Sequence, residues 1–157
     1  MEKEWRQALE KMTYGIYVLT TSWKEEINGM IASWVSQVSY EPPLVMAAIH
    51  RDRYSHSLIE KGRHFALHVL AKKQSDYLER FRGPDPAARF ASIEWVTGKS
   101  GCPILKDSVA YIECEVNDIL TPGNHTLFIG EIKDAGVFSD EVILSTLDFA
   151  RTYTGKA

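Results

Sequence analysis

Apolar and polar residues alternate along this chain with two different periods, and each period predicts one kind of element. Near the N-terminus the period is helical, which predicts an amphipathic helix over about residues 3–12 that is ended by Gly15. Its apolar stripe, which we expect to be buried, consists of Trp5, Ala8, Leu9 and Met12. Two further short helices are predicted at about 55–61, closed by Gly62 in the left-handed conformation, and at about 74–82.

Most of the chain instead shows the period of two that is typical of strands. Pro42 and Pro43 interrupt the extended run between two of them. Because no regular alternation of strands and helices is present, the pattern favours a mainly β fold with a mostly antiparallel, closed sheet and short flanking helices. Six or more strands are predicted, at about 16–21, 27–34, 44–49, 65–69, 109–120 and 126–137.

The composition restricts the classes of partner. A chain of 157 residues with 45% hydrophobic and 25% charged residues is expected to form one domain, residues 1–157. The net charge is -3 and both signs are interleaved, which argues against nucleic acid or a membrane and favours a small soluble ligand. The charged N-terminus lacks the apolar core of a signal peptide, and no apolar run approaches the roughly 18 residues of a spanning helix, so we expect a cytoplasmic protein.

The cysteines and histidines argue against several kinds of site. Cys102 and Cys114 are too few and too far apart for a disulfide framework or a zinc site, and we expect both to be structural. His64 and His68 share one face of a predicted strand but lie about 13 Å apart, so they cannot bind one metal ion together. We therefore expect no metal. A nucleophile elbow, a P-loop and the glycine fingerprint of dinucleotide-binding folds are also absent, which removes the support for a hydrolase.

Two neighbouring segments carry candidate binding chemistry. Over residues 30–39, hydroxyl and amide side chains stand between apolar residues, where they need hydrogen-bond partners. A solvent-facing amphipathic strand explains the same pattern. Over residues 51–56, two arginines cluster with Ser55 and His56 where a strand ends and a helix begins, a place that favours an anion. A solvated turn is the alternative.

Four separated motifs occur in a fixed order along the chain. They are NGMIASWVSQVSYEPPLVMAAIH from residue 28, RDRYSH from residue 51, FALHVL from residue 65 and GNHTLFIGEI from residue 123. Together they resemble the flavin reductase-like family with its FMN-binding split β-barrel, and flavoredoxin and ferric-reductase-like members are the nearest in character. The resemblance implies a six-stranded antiparallel split β-barrel of Greek-key topology, and a homodimer that binds one flavin per subunit near the subunit interface.

The same resemblance implies the cofactor-binding residues. The family's flavin-cradling strand matches Met30, Ile31, Ala32, Ser33, Trp34, Val35, Ser36 and Gln37. Its phosphate-binding turn matches Arg51, Asp52, Arg53, Tyr54, Ser55 and His56. Many members also carry a basic residue before a Phe, which corresponds to Arg89, and Tyr153 is a candidate to cover the flavin ring.

The family's G-D-H motif reads Gly123-Asn124-His125 in this chain. The resemblance makes His125 the candidate for a catalytic role on the nicotinamide side of the flavin. Asn in place of Asp removes a carboxylate that would favour the charged imidazole. A turn histidine bonded to a backbone carbonyl is the alternative.

The activity implied by the resemblance is that of an NAD(P)H-dependent flavin reductase with FMN as cofactor and NADH or NADPH as co-substrate. The lack of a recognisable catalytic triad fits, because the flavin carries the redox chemistry. Two other hypotheses stay open. One is a flavoredoxin-like FMN electron carrier that is reduced by a redox partner protein, and the other is a binding barrel without redox function.

Overall fold

The computed structural model describes residues 1–149 and contains short helices and nine strands in that range. The α-helices are α1 (Lys3–Leu9), α2 (Tyr54–Gly62), α3 (Tyr77–Arg80) and α4 (Pro86–Arg89), with 3-10 turns at Lys72–Gln74 and Thr146–Asp148. The strands are β1 (Tyr17–Trp23), β2 (Glu26–Ala32), β3 (Val35–Tyr40), β4 (Pro43–His50), β5 (His64–Val69), β6 (Trp95–Thr97), β7 (Pro103–Leu105), β8 (Ala110–Leu120) and β9 (His125–Val137).

Seven of the strands form one antiparallel sheet in the order β2-β1-β5-β8-β9-β4-β3. β6 and β7 form a separate two-stranded antiparallel ladder. The hairpin between β1 and β2 turns at Lys24, which has a positive φ of 55°. The mainly β class, the antiparallel arrangement and the short flanking helices are confirmed.

The strand count differs from the six strands that the resemblance implies. The pattern predicts one strand over 27–34, whereas β2 ends at Ala32 and a separate strand, β3, begins at Val35 and pairs with β4. β3 has no buried residue, so it lacks the apolar alternation by which a strand is recognised in sequence. The two residues between these strands, Ser33 and Trp34, break the extended run.

The sheet buries apolar side chains on both faces where β1 and β5 lie side by side. Val18 and Leu19, which are neighbours in β1, belong to two different apolar clusters because strand side chains alternate. One cluster includes Leu19, Val45, Ile49, Phe65, Leu67 and Phe128. The other includes Val18, Leu70, Tyr77, Phe81, Phe90 and Leu105, and it holds α3 and α4 against the sheet.

The N-terminal helix is shorter and more exposed than its pattern predicts. α1 ends at Leu9 instead of near Met12, and none of its residues is buried. Trp5, which heads the predicted buried stripe, is 61% exposed. The prediction of burial is therefore wrong for residues 1–149, because helical periodicity identifies an apolar face without identifying what covers it.

Two other helix predictions need adjustment. α2 is found as expected, but the left-handed residue that ends it is Arg63, with a φ of 61°, and not Gly62. Gly62 is required for another reason, since a Cβ there would lie 2.4 Å from the carbonyl oxygen of Ser22. The helix predicted over 74–82 divides into the 3-10 turn at Lys72–Gln74 and the four-residue α3.

The two cysteines are buried, as structural residues are expected to be. Burial raises the pKa of the Cys102 and Cys114 thiols to about 12, so neither is a thiolate at neutral pH. In the described range, 1–149, no helix is long and apolar enough to span a bilayer. The cytoplasmic location stays a prediction.

Candidate functional site

A cavity of about 290 Å³ opens where the end of β2, the start of α2, the α3–α4 segment and the start of β9 meet. Its volume lies near the lower end of the range for small-molecule sites. The wall includes apolar, aromatic, imidazole and guanidinium groups. The lining residues are Asn28, Met30, Ile31, Ala32, Ser33, Trp34, Ala48, His50, Asp52, Arg53, Tyr54, Ser55, Phe81, Arg82, Arg89 and His125.

One side of the cavity, the histidine wall, consists of Trp34, His50 and His125. His50 at the end of β4 is paired in register with His125 at the start of β9, which places the two imidazoles edge to face with centroids 5.0 Å apart. The Trp34 ring lies 4.7 Å from the ring of His125. These residues come from three separate chain segments, and the β4–β9 ladder fixes their spacing.

The surroundings of His125 favour the neutral imidazole. Burial lowers its pKa below the usual range, and the nearby His50 and Arg53 lower it further. Its Nδ1 lies 2.8 Å from Oδ1 of Asn124, an oxygen that only accepts hydrogen bonds, so Nδ1 carries the proton. The backbone N–H of Arg51 donates to the carbonyl of Asn124 over 3.2 Å and fixes the turn that carries this histidine.

His50 is a cavity residue that sequence reasoning missed. Its Nδ1 accepts a hydrogen bond from the backbone N–H of Asp52 over 3.2 Å, and the Asp52 carboxylate lies 3.6 Å away. The ring is therefore held against the turn that leads into α2. Its position as the last residue of a strand, directly before an arginine-rich turn, could have indicated that His50 is a site residue.

The opposite side, the arginine wall, consists of Arg53, Arg89 and the first turn of α2. Arg53 is the N-cap of α2, so its side chain stands beside backbone N–H groups that have no partner inside the helix. Among residues 1–149, neither Arg53 nor Arg89 has a carboxylate oxygen within 4.0 Å. Two positive charges thus face the cavity without an ion-pair partner there, an arrangement that favours an anion.

Arg89 is held rigidly by neutral groups. Its Nε and Nη2 donate to the carbonyl of Gly83 over 3.0 and 2.6 Å, and Nη1 donates to the carbonyl of Gly29 over 3.0 Å. Nη1 also donates to Oδ1 of Asn28 over 2.7 Å. Burial lowers the pKa of Arg89, and the neighbouring charge of Arg53 lowers it further, while the Asp85 carboxylate raises it; a guanidinium remains protonated in proteins.

Asn28 connects the two segments that sequence reasoning treated separately, and it was also missed. It is 1% exposed, and its Nδ2 donates to the hydroxyl oxygen of Ser55 over 2.8 Å while its Oδ1 accepts from Arg89. Ser55 lines the cavity, but its side chain is fully buried behind this contact. In the sequence, only its position as the first residue of the Asn-Gly pair that begins the first motif could have indicated Asn28 as a site residue.

Five predicted site residues do not line the cavity. Ser36 and Gln37 lie on the exposed face of β3, where their side chains bond to nearby backbone carbonyls, and Val35 is half-buried beside them. The side chain of Arg51 is also outside, because the turn directs Arg53 into the cavity. His56 is buried, with Nε2 2.7 Å from the hydroxyl of Thr126 and its ring against Phe128.

The other predicted residues are brought together. Met30, Ile31, Ala32, Ser33, Trp34, Asp52, Arg53, Tyr54, Ser55, Arg89 and His125 all line the one cavity. Tyr153 lies outside the described residues. Among residues 1–149 no group of three or more metal-ligating side chains is found, and the expectation of a metal-free site stays a prediction.

The arrangement separates two kinds of chemistry. The arginine wall can bind a phosphate through guanidinium and helix N-terminal N–H groups. The segment Met30–Trp34 and the histidine wall can border a planar, uncharged ring. The geometry thus suits an amphipathic ligand that is anionic at one end only.

Comparisons with known proteins agree with this geometry. Residues 9–156 match the family described as "Flavin reductase like domain". The ferric-chelate reductase (NAD(P)H) of Archaeoglobus fulgidus is 30% identical over 154 residues, which cover 96% of this chain and 91% of that protein. A crystal structure of the flavin reductase HpaC complexed with NADP+ is 28% identical, with a TM-score of 0.81 over 90% of this chain and 89% of that one.

Another relative is much longer. Diflavin flavoprotein A 1 of Synechocystis sp. is 32% identical over 146 residues, which cover 90% of this chain but 25% of that protein. The chain therefore spans about a quarter of the length of this relative.

Proposed function

The chain belongs to the flavin reductase-like family, and on that premise we propose that it is an NAD(P)H-dependent flavin reductase that binds FMN in the described cavity. The observation that carries this proposal is the pair of guanidiniums, Arg53 and Arg89, which have no carboxylate partner among residues 1–149. They face the same cavity as the aromatic ring of Trp34 and the imidazole of His125. FMN has the matching polarity, because its ring is uncharged and its phosphate carries nearly two negative charges.

We assign the binding of the flavin to two groups of residues. Arg53, Arg89 and the first N–H groups of α2 are placed to hold the phosphate. Tyr54 at the same helix start lines the cavity, and its hydroxyl is held by a hydrogen bond to Glu26. The ring is bordered by Met30, Ile31, Ala32, Ser33 and Trp34, and the backbone of this segment supplies N–H and C=O groups at its edge.

When bound, the flavin supplies the redox chemistry: it accepts a hydride from NAD(P)H and passes the two electrons to an acceptor. The protein's part is to orient the two rings and exclude water. His125 is placed to contact the nicotinamide. Since the surroundings of His125 favour the neutral imidazole, this wall adds no charge that would repel the cationic oxidised nicotinamide.

The test is flavin binding followed by stopped-flow reduction. The purified protein is expected to bind FMN, and its flavin absorbance near 450 nm should bleach on mixing with NADH or NADPH. An otherwise identical titration with FAD compares the two flavins. A protein that binds no flavin, or whose bound flavin is not reduced by millimolar nicotinamide, would contradict the proposal.

A second candidate is an electron carrier that binds FMN but is reduced by another protein or domain. It is favoured by the similarity to a quarter of a longer diflavin flavoprotein, since a domain within such a chain can receive electrons from its neighbours. Negligible hydride transfer combined with tight FMN binding would identify the carrier. Transfer from the reduced protein to ferric chelates, free flavin or a rubredoxin-type protein would identify the acceptor.

We also propose that the protein is a homodimer. Val38 and Tyr40 on the edge strand β3 are largely exposed, and so are Trp5 and Met12 at the N-terminus. Exposed apolar side chains on an edge strand and on an amphipathic helix are typical of surfaces that are covered by a partner. Sedimentation equilibrium tests the proposal.

A further inference from the structure

Arg89 is half-buried, and its four hydrogen bonds in the described chain all go to uncharged oxygens. Three of them go to the backbone carbonyls of Gly83 and Gly29, and the fourth goes to the side-chain oxygen of Asn28. A guanidinium removed from water is normally paired with a carboxylate, because an unpaired charge loses its hydration. The neutral acceptors fix the position of Arg89 without cancelling its charge.

The hydrogen bonds determine the orientation of the Asn28 amide. Arginine has no acceptor, so the atom that faces Arg89 must be Oδ1. Nδ2 therefore faces Ser55 and donates to its hydroxyl oxygen. The side chain joins β2, α2 and α4 through two contacts of defined direction, and it is almost fully buried.

We propose that Asn28 determines the specificity of the cavity for a phosphorylated flavin, because it holds Arg89 through a neutral amide and so leaves the guanidinium charge available to the phosphate. The proposal rests on the proposed function. Arg89 has five N–H groups, of which four are used, so one remains on Nη2.

The substitution Asn28→Asp changes the charge beside Arg89 and nearly keeps the shape of the side chain. The aspartate side chain has nearly the same size as asparagine, and its two oxygens could accept from Arg89 and from the Ser55 hydroxyl, so the contacts that support the fold are retained. The carboxylate beside a guanidinium would stay ionised and would neutralise it. The cavity would then lose one positive charge while its shape is kept.

The experiment compares FMN with riboflavin, which has the same ring but no phosphate. In the wild-type chain FMN is expected to bind more tightly than riboflavin. In Asn28→Asp this preference should fall by about tenfold or more, the effect of losing a charge-assisted hydrogen bond, while riboflavin affinity changes little. The matched control is Asn117→Asp, which makes the same charge change at an exposed position of β8 and should keep the preference.

The outcomes distinguish failure of the inference about Asn28 from failure of the proposed function. Loss of the FMN preference in Asn28→Asp but not in Asn117→Asp supports the inference. An unchanged preference in a folded Asn28→Asp protein overturns it, and so does a wild-type protein that binds both flavins equally. A wild-type protein that binds neither flavin contradicts the proposed function itself.

A second variant covers the case in which Asn28→Asp does not fold, as judged by its circular dichroism. Arg89→Gln removes the charge and keeps a donor at the same place. It should also lose the preference for FMN over riboflavin, and full retention of that preference would overturn the inference.

Discussion

Each wall of the cavity carries a basic side chain whose pKa is lowered by its surroundings, but the two side chains end in different charge states. Burial and the charge of Arg53 lower the pKa of His125 on one wall and the pKa of Arg89 on the other. An imidazole ordinarily titrates near 6.5, so this environment favours its neutral form at pH 7, whereas a guanidinium stays charged. A small molecule thus meets the neutral imidazole of His125 on one wall and a charged guanidinium on the other.

The difference shows how side-chain type gives the two walls of one cavity different charges. No carboxylate within 4.0 Å of Arg53 or Arg89 is found among the described residues, so the cationic wall is left for a ligand. The histidine wall instead has aromatic and imidazole faces. This division suits the proposed flavin, whose phosphate and ring need opposite surroundings.

The largest expected effect follows from removing a charge on the arginine wall. Arg53→Ala should weaken FMN binding by about 1.5–3 kcal/mol, the range for hydrogen bonds to charged groups. Arg51→Ala, in the same turn, is the matched control, because the Arg51 side chain is outside the cavity. Equilibrium dialysis measures both affinities. Equal losses in the two variants would show that the cavity does not locate the phosphate.

A smaller effect is expected on the histidine wall. His125→Ala should slow nicotinamide oxidation by about tenfold, because the role proposed for the imidazole is to orient the nicotinamide. The FMN affinity should stay nearly the same, since the phosphate contacts lie on the opposite wall. Stopped-flow bleaching gives the rate and dialysis gives the affinity. If the affinity falls as much as it does in Arg53→Ala, His125 belongs to the flavin contact and not to the nicotinamide side.

Local patterns in the sequence predicted much of the fold and part of the site. The β1–β2 hairpin and the position of α2 follow from local residues, and every residue of the segment 30–34 lines the cavity as the resemblance implies. Strand periodicity did not reveal β3, because an edge strand with no buried side chain has no apolar alternation. Val35, Ser36 and Gln37 were placed in the site by the resemblance to the family's flavin-cradling strand, and they lie on β3, outside the cavity lining.

The residues that were missed depend on contacts between distant parts of the chain. Asn28 is 61 residues away from Arg89, and His50 becomes a cavity residue by pairing with His125 across the β4–β9 ladder. Neither contact has a local pattern. The choice between Arg51 and Arg53 is similar, because the geometry of the α2 N-cap decides which side chain enters the cavity.

The smallest expected effect tests whether His50 helps to keep the imidazole of His125 neutral. The groups that lower the pKa of His125, after burial, are His50 and Arg53, and the Asp52 carboxylate lies 3.6 Å from Nδ1 of His50. His50→Asn keeps an acceptor for the Asp52 N–H but removes the titratable ring, so the pKa of His125 should rise toward its ordinary value.

An NMR titration of the imidazole Cε1 protons measures this pKa shift directly. His64→Asn is the control, because His64 contacts Ser22 and does not line the cavity. Because the lowered pKa keeps His125 neutral down to a more acidic pH, the rise in His50→Asn should move the onset of imidazolium formation to higher pH. If the rate depends on the neutral ring, the acid limb of nicotinamide oxidation moves in the same direction. A pKa that stays the same or falls would mean that burial and Arg53 keep His125 neutral and that His50 acts only through packing.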